Sequence, residues 1–153
     1  MKIMVTGAGG FVGSRLAAYY GKKYDVWGVT HKDLDLTDEA AVFKTVENYR
    51  PDVLLHCAAV SDVAECSKKP ELSHAVNVLG TEYLAKACGK TGTKLVMCSS
   101  DQVYFRKRGE QESLDAYLEP HWEDCIETPE PLYGKQKLQG EELCLKYQPE
   151  SVV

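Results

Sequence analysis

A chain of 153 residues suits one domain with a real core, and 44% hydrophobic with 27% charged residues is ordinary for a soluble globular protein. The formal net charge of −5 speaks against a nucleic-acid partner, because phosphate binding requires a basic surface. No apolar run reaches the roughly 18 residues of a membrane span, and the N-terminal MKIMVTGAGG turns glycine-rich too soon for a signal peptide.

KIMVT, residues 2–6, reads as a short buried strand, and GAGGFVG follows it at once. A helix over 11–20 places Val12, Leu16 and Ala17 on one face. YDVWGVT, 24–30, reads as a second strand and DLDL, 33–36, as a short third. Thr37 is the expected N-cap of the next helix, with Asp38 and Glu39 favourably placed in its first turn. That helix stops near residue 49, since the residue ahead of Pro51 avoids the α region. DVLLHCAA is a buried strand, and a long helix over 70–89 starts on Pro70. KLVMCSS is another buried strand, 101–132 has no clear period, a last helix spans 132–147, and SVV opens one more strand. Alternating strands and helices, with strands apolar throughout, predict an α/β fold: a doubly wound parallel sheet covered on both faces, in one domain over 1–153. A strand that begins where the chain ends is expected of a piece of a longer protein.

TGAGGFVG sets Gly7, Gly10 and Gly13 between the first strand and the first helix. In that context Gly7 permits the tight turn, Gly10 lets the backbone approach a diphosphate, and Gly13 lets the helix pack closely. The helix N-terminus then offers free N–H groups and partial positive charge to phosphates. A site for NAD usually has an acid after the second strand, but this strand ends VTHK. His31 or Lys32 is placed to pair a 2′-phosphate, which favours NADP(H), with NAD(H) as the alternative; Asp35 and Leu36 are placed to flank the adenine.

The six cysteines form no C-x-x-C pair, and Cys57 and Cys98 lie in apolar runs, so free thiols in a reducing cytoplasm are expected. The four histidines are scattered, His56 suits a core or site-lining role, and no metal site is expected. LYGKQK places Tyr133 and Lys137 four apart, on one helix face. Tyr19 and Lys23 in YYGKK share that spacing, so the pair alone decides nothing.

Taken together, the motifs resemble those of the extended short-chain dehydrogenase/reductases, in particular the dTDP-4-dehydrorhamnose reductase branch. The resemblance runs over the whole chain, through TGAGGFVG, LDLTD, RPDVLLHCAA, AVNVLGTEYLAKAC, MCSSDQVY and PLYGKQKLQGEE. It implies a Rossmann-like NAD(P)-binding fold and NADPH-dependent reduction of a 4-keto sugar nucleotide. A non-catalytic NADP-binding regulatory or scaffold protein, and a sugar-nucleotide epimerase or dehydratase, are the alternatives on the same fold. The implied catalytic residues are Ser100, Tyr133 and Lys137, with Ser99 competing for the hydroxyl role. The implied cofactor residues are Gly7, Gly10, Phe11, Val12 and Gly13 in the loop, Cys57, Ala58 and Ala59 after the strand, Asn77 on the helix, and Tyr133 and Lys137. A sugar nucleotide is the expected partner, with neither nucleic acid nor membrane, and a homodimer is the candidate assembly.

The chain also departs from the family. Gln102 stands where an aromatic is usual, FRKRG where an Asp-Gly turn is usual, and the loop from 100 to 133 is longer. The half that shapes the sugar-nucleotide pocket in the family lies beyond the match. Within the loop, Arg106, Lys107 and Arg108 are candidates to steer a diphosphate, and Tyr117, His121 and Trp122 are candidates for a lid. The implied chemistry asks Tyr133 to protonate a carbonyl oxygen, for which a free phenol with pKa near ~10 is a poor acid. A cation about 5 Å away at an effective dielectric of ~20 contributes about 3 kcal/mol, or about 2 pKa units, so Lys137 is expected to lower the phenol's pKa.

Overall fold

The computed structural model describes residues 1–104, 113 and 129–153. The basic run 106–108 and the lid candidates Tyr117, His121 and Trp122 lie outside the described residues.

The chain begins with β1 (Lys2–Thr6), α1 (Phe11–Tyr20), β2 (Asp25–Val29) and α2 (Glu39–Tyr49). Next come β3 (Val53–His56), the short α3 (Val63–Lys68) and α4 (Pro70–His74). A π-helical turn, Ala75–Leu79, leads directly into α5 (Gly80–Thr91). β4 (Lys94–Met97), a 3₁₀ turn (Asp101–Val103) and α6 (Leu132–Tyr147) complete the described elements. The strands form one parallel sheet in the order β2-β1-β3-β4. The chain therefore winds outward one way from β1 and then the other, and the crevice at the carboxyl ends of β1 and β3 is the topological switch point where such sheets bind ligands.

Register explains where the core sits. Met4, Leu54 and Leu95 are paired across β1, β3 and β4 and share one sheet face. They are buried with Val42 and Val46 of α2, Leu84, Ala85 and Cys88 of α5, and Cys144 of α6. The opposite face is covered less evenly. α1 packs against β1 and β2, whereas Val53, Leu55 and Val96 are only half-buried. Coverage of both faces, as expected from the apolar strands, holds fully for one face among the described residues.

Several local expectations shift. DLDL forms no strand; Leu34 and Leu36 instead reach the core from an irregular segment. The α2 cap is Asp38, whose carboxylate accepts from the Ala41 N–H at 3.0 Å. Thr37 is occupied with the Asp35 carboxylate, to which its hydroxyl donates at 2.7 Å. The end of α2 needs Arg50 in the left-handed conformation, φ 48°, immediately before Pro51. Val12 is exposed, so the inward face of α1 is built on Gly13, with Leu16 and Ala17 half-buried. The helix expected from Pro70 is continuous through Thr91 but contains the π turn. SVV makes a single parallel bridge, Val152 to Val96, beside β4.

Candidate active site

The glycine loop has two kinds of glycine. Gly7 has φ +69°, and a Cβ there would sit 2.7 Å from the Ala58 nitrogen. A Cβ on Gly13 would lie 2.3 Å from the Gly7 carbonyl oxygen, so the helix packs tightly against the loop's own backbone. Both positions exclude any side chain for packing reasons alone. Gly10 differs. It is the N-cap of α1, with φ −88° and ψ 177°, open to any residue, and its Cβ would meet only the Gly7 oxygen at 3.3 Å. The space beyond it is the cavity.

That cavity has a volume of about 960 Å³ and opens over the carboxyl ends of the strands. Gly7, Gly10, Phe11, Val12 and Gly13 line it at the start of α1. His31, Lys32, Asp35 and Leu36 line it beyond β2, and Cys57, Ala58 and Ala59 beyond β3. Tyr133 and Lys137 reach it from α6, more than seventy residues further along the chain. The sequence reading missed Thr30, Val60, Ser61, Leu72 and Val76 as lining residues, because irregular segments and helix faces carry no motif.

Beyond the VTHK strand end stands one acid, Asp33, that is turned back onto Thr30. Asp33 accepts from the Thr30 N–H at 2.9 Å and from the Thr30 hydroxyl at 2.7 Å. These bonds hold its carboxyl below the usual range, with smaller help from His31 and Lys32. Asp33 does not line the cavity, and Asp35, the carboxylate that does, is bonded to the N–H and hydroxyl of Thr37.

Asn77 and Ser100 are not lining residues. Asn77 is buried in the π turn, accepts from the Val60 N–H at 2.8 Å and donates to the Val60 carbonyl at 3.0 Å. The same amide donates to Gln136 of α6 at 2.9 Å, and Gln136 donates to the Ser73 hydroxyl at 2.9 Å. Asn77 and Gln136 thus fix the cavity wall at Val60 against the helix that carries Tyr133 and Lys137. The extra residue of a π turn commonly serves such a purpose, turning one side chain out of helical phase.

Of the two serines, Ser99 lines the cavity and donates to Glu141. Ser100 caps the 3₁₀ turn, accepting from the Gln102 N–H at 3.2 Å. Lys137 is buried, and its Nζ donates to the Cys98 carbonyl at 2.5 Å. Burial lowers its pKa. The Tyr133 phenol is raised above its ordinary value, first by burial, while a hydrogen bond with Ser100 pulls the other way. The phenol therefore lies above its ordinary value, not below it as the spacing of Lys137 led one to expect, because burial outweighs what lowers it. The sequence spacing placed the two side chains on one face but could not show that the ammonium is drawn toward the end of β4.

His56 has its place in the core. It is 1% exposed, with Nδ1 2.8 Å from the Thr6 hydroxyl and Nε2 2.9 Å from the Thr81 hydroxyl. It joins β1, β3 and α5 beneath the cavity, and burial, followed by the Lys137 charge, lowers its pKa to about 3. No group of metal-binding side chains occurs among the described residues, and no helix there is long and apolar enough to cross a membrane.

The RmlD substrate binding domain model matches residues 1–153. The dTDP-4-dehydrorhamnose reductase of Mycolicibacterium smegmatis is 37% identical over 99% of this chain and 44% of its own length. Methionine adenosyltransferase 2 subunit beta of Xenopus laevis is 34% identical over 95% of this chain and 43% of its own. The solved structure of Bacillus anthracis dTDP-4-dehydrorhamnose reductase in complex with NADP superimposes with a TM-score of 0.86 at 28% identity, covering 98% of this chain and 51% of that one. The chain spans about half the length of these relatives. With a parallel α/β sheet, a glycine loop at its switch point and a family match over every residue, the chain belongs to the RmlD substrate binding domain family.

Proposed function

We propose that this chain is the cofactor-holding part of an NADPH-dependent reductase acting on a 4-keto sugar nucleotide. The observation that carries this reading is the meeting, in one cavity, of the glycine loop, Lys32, Tyr133 and Lys137. The residues fit a dinucleotide: Gly10 leaves its side of the loop open, and the α1 N-terminus presents backbone N–H groups where a diphosphate would lie. Lys32 and His31 line the cavity beyond β2 and are the candidates to pair a 2′-phosphate, while Asp33 is turned back onto Thr30. The Bacillus anthracis relative was solved with NADP, in agreement with that choice.

Bound NADPH supplies the hydride. Tyr133 holds the proton that the carbonyl oxygen must gain, and its raised pKa keeps the phenol protonated at neutral pH. Ser100, which acts to lower the pKa of that phenol and whose hydroxyl donates to Asp101 in this structure, is the candidate donor to the developing oxyanion. Lys137, anchored on Cys98, supplies positive charge beside the reacting groups and is the candidate contact to the nicotinamide ribose.

Gly10→Val should abolish NADPH binding with the fold retained, since its backbone angles suit valine, its Cβ would meet only the Gly7 oxygen, and Gly10 lines the cavity. Lys32→Glu should reverse a preference for NADPH over NADH. Calorimetry with both cofactors on the parent and the two variants checks this; full affinity in Gly10→Val would move the site elsewhere. The activity itself is tested by mixing the full-length protein with NADPH and dTDP-4-dehydro-6-deoxy-L-mannose and following the nicotinamide absorbance. Turnover is the expected result. NADPH bound tightly but never consumed would favour the second reading, a non-catalytic NADP-binding regulatory subunit, for which the 34% identity to methionine adenosyltransferase 2 subunit beta is the supporting observation.

A further inference from the structure

We propose that Cys57 and Cys98 form a modification site, a reversible disulfide made by hydrogen peroxide inside the cavity. Both thiols line the cavity, and their sulfurs lie 3.5 Å apart. They directly follow a paired position of the sheet, His56 with Met97, and the Cys98 N–H donates to the His56 carbonyl at 3.0 Å, extending the ladder by one step. Parallel neighbours stand about 4.8 Å apart, inside the roughly 4.4–6.8 Å between Cα atoms that a disulfide spans. Bridging therefore requires side-chain rotation and no displacement of β3 or β4.

The remaining described cysteines contrast with this pair. Cys66, Cys88 and Cys144 are buried, and burial pushes the Cys88 and Cys144 thiols up to about 12. They have neither the access nor the thiolate that oxidation requires. Cys98 has both: a hydrogen bond from Cys57 holds it well below the usual thiol range, and the Lys137 charge adds to this against the effect of burial. Cys57 is correspondingly raised and keeps its proton. One sulfur is thus prepared to attack and its neighbour to resolve.

The step balances. The Cys98 thiolate attacks one peroxide oxygen, the O–O bond breaks, and the departing hydroxide takes up a proton as water, leaving Cys98 as a sulfenic acid. The Cys57 sulfur then attacks the Cys98 sulfur, the S–O bond breaks, and the oxygen leaves as a second water with the Cys57 proton. Two thiols are oxidised to one disulfide, and one peroxide is reduced to two waters.

The test is peptide mapping of the reduced chain after exposure to equimolar hydrogen peroxide and alkylation, with no cofactor present. A failure here therefore leaves the reductase reading standing, and a failure of that reading leaves this test unaffected. The expected result is a Cys57–Cys98 linked peptide pair, lighter by two hydrogens than the reduced pair, lost on treatment with dithiothreitol. In Cys57→Ser, Cys98 should instead accumulate as a sulfenic acid captured by dimedone. Recovery of both residues as alkylated thiols in the parent overturns the proposal, as does linkage of either to another cysteine. Dimedone capture at a different cysteine in Cys57→Ser removes Cys98 from the attacking role.

Discussion

Tyr133→Phe in the full-length protein is expected to lower kcat by about 10²- to 10⁴-fold, the usual contribution of a positioned general acid, with cofactor affinity nearly unchanged. Phenylalanine keeps the buried ring that lines the cavity and removes only the hydroxyl. Ser100→Ala should cost about 10²- to 10³-fold, the usual loss for one donor to an oxyanion. Lys137→Met should lose both rate and cofactor affinity, because it removes a charge lining the cavity and the bond that anchors it to β4. The losses should not add, since groups that act on one transition state are lost together. Tyr19→Phe is the control: its pair with Lys23 has the same spacing, but Tyr19 is 69% exposed on α1 and does not line the cavity. Steady-state kcat and cofactor Kd for these variants check the set, and near-parent turnover by Tyr133→Phe would remove the acid role.

Acid lability centred on His56 is the second large effect expected. Its folded pKa of about 3 lies below the ordinary value of 6.5, so below pH 6.5 the unfolded chain binds a proton that the folded chain refuses. The stabilisation is therefore fully present above about pH 6.5 and is lost as the pH falls toward 3. Its slope is about 1.4 kcal/mol per pH unit, one proton's worth. Between pH 6.5 and 5 the depressed carboxylates Asp33 and Asp35 stay ionised in both states. The Cys98 thiol, lowered to about 6 in the folded chain, titrates in the same window and with the same sign, so it is the difference in slope between parent and a His56 variant that isolates the histidine. His56→Gln should be less stable than the parent at pH 7, having weakened the links to Thr6 and Thr81. It should also have a shallower slope, lacking the part that His56 contributes. Urea midpoints at half-unit pH steps for parent and variant read both effects, and an equal slope in the two proteins would show that the loss originates elsewhere.

The parts of this protein that the sequence determined by itself are those governed by near neighbours in the chain. β1, the glycine loop and α1 were legible because strand, turn and helix follow one another within 2–20, each with its own local pattern. α6 and its Tyr133–Lys137 face were legible for the same reason, since helical periodicity is a four-residue property. The two ends of the cavity could thus be named by position, and family resemblance joined them. Tertiary structure decided what depends on distant partners. DLDL became core-reaching loop because Leu34 and Leu36 found a place against α2 and α5, where a strand partner was lacking. Asn77 acts through Val60 and Gln136, Cys57 faces Cys98 across 41 residues, and His56 joins Thr6 to Thr81. The direction of the Tyr133 pKa was decided in the same way: spacing measures how near a charge stands along the helix, whereas burial and the anchoring of Lys137 on Cys98 exist only once the sheet has brought β4 and α6 together.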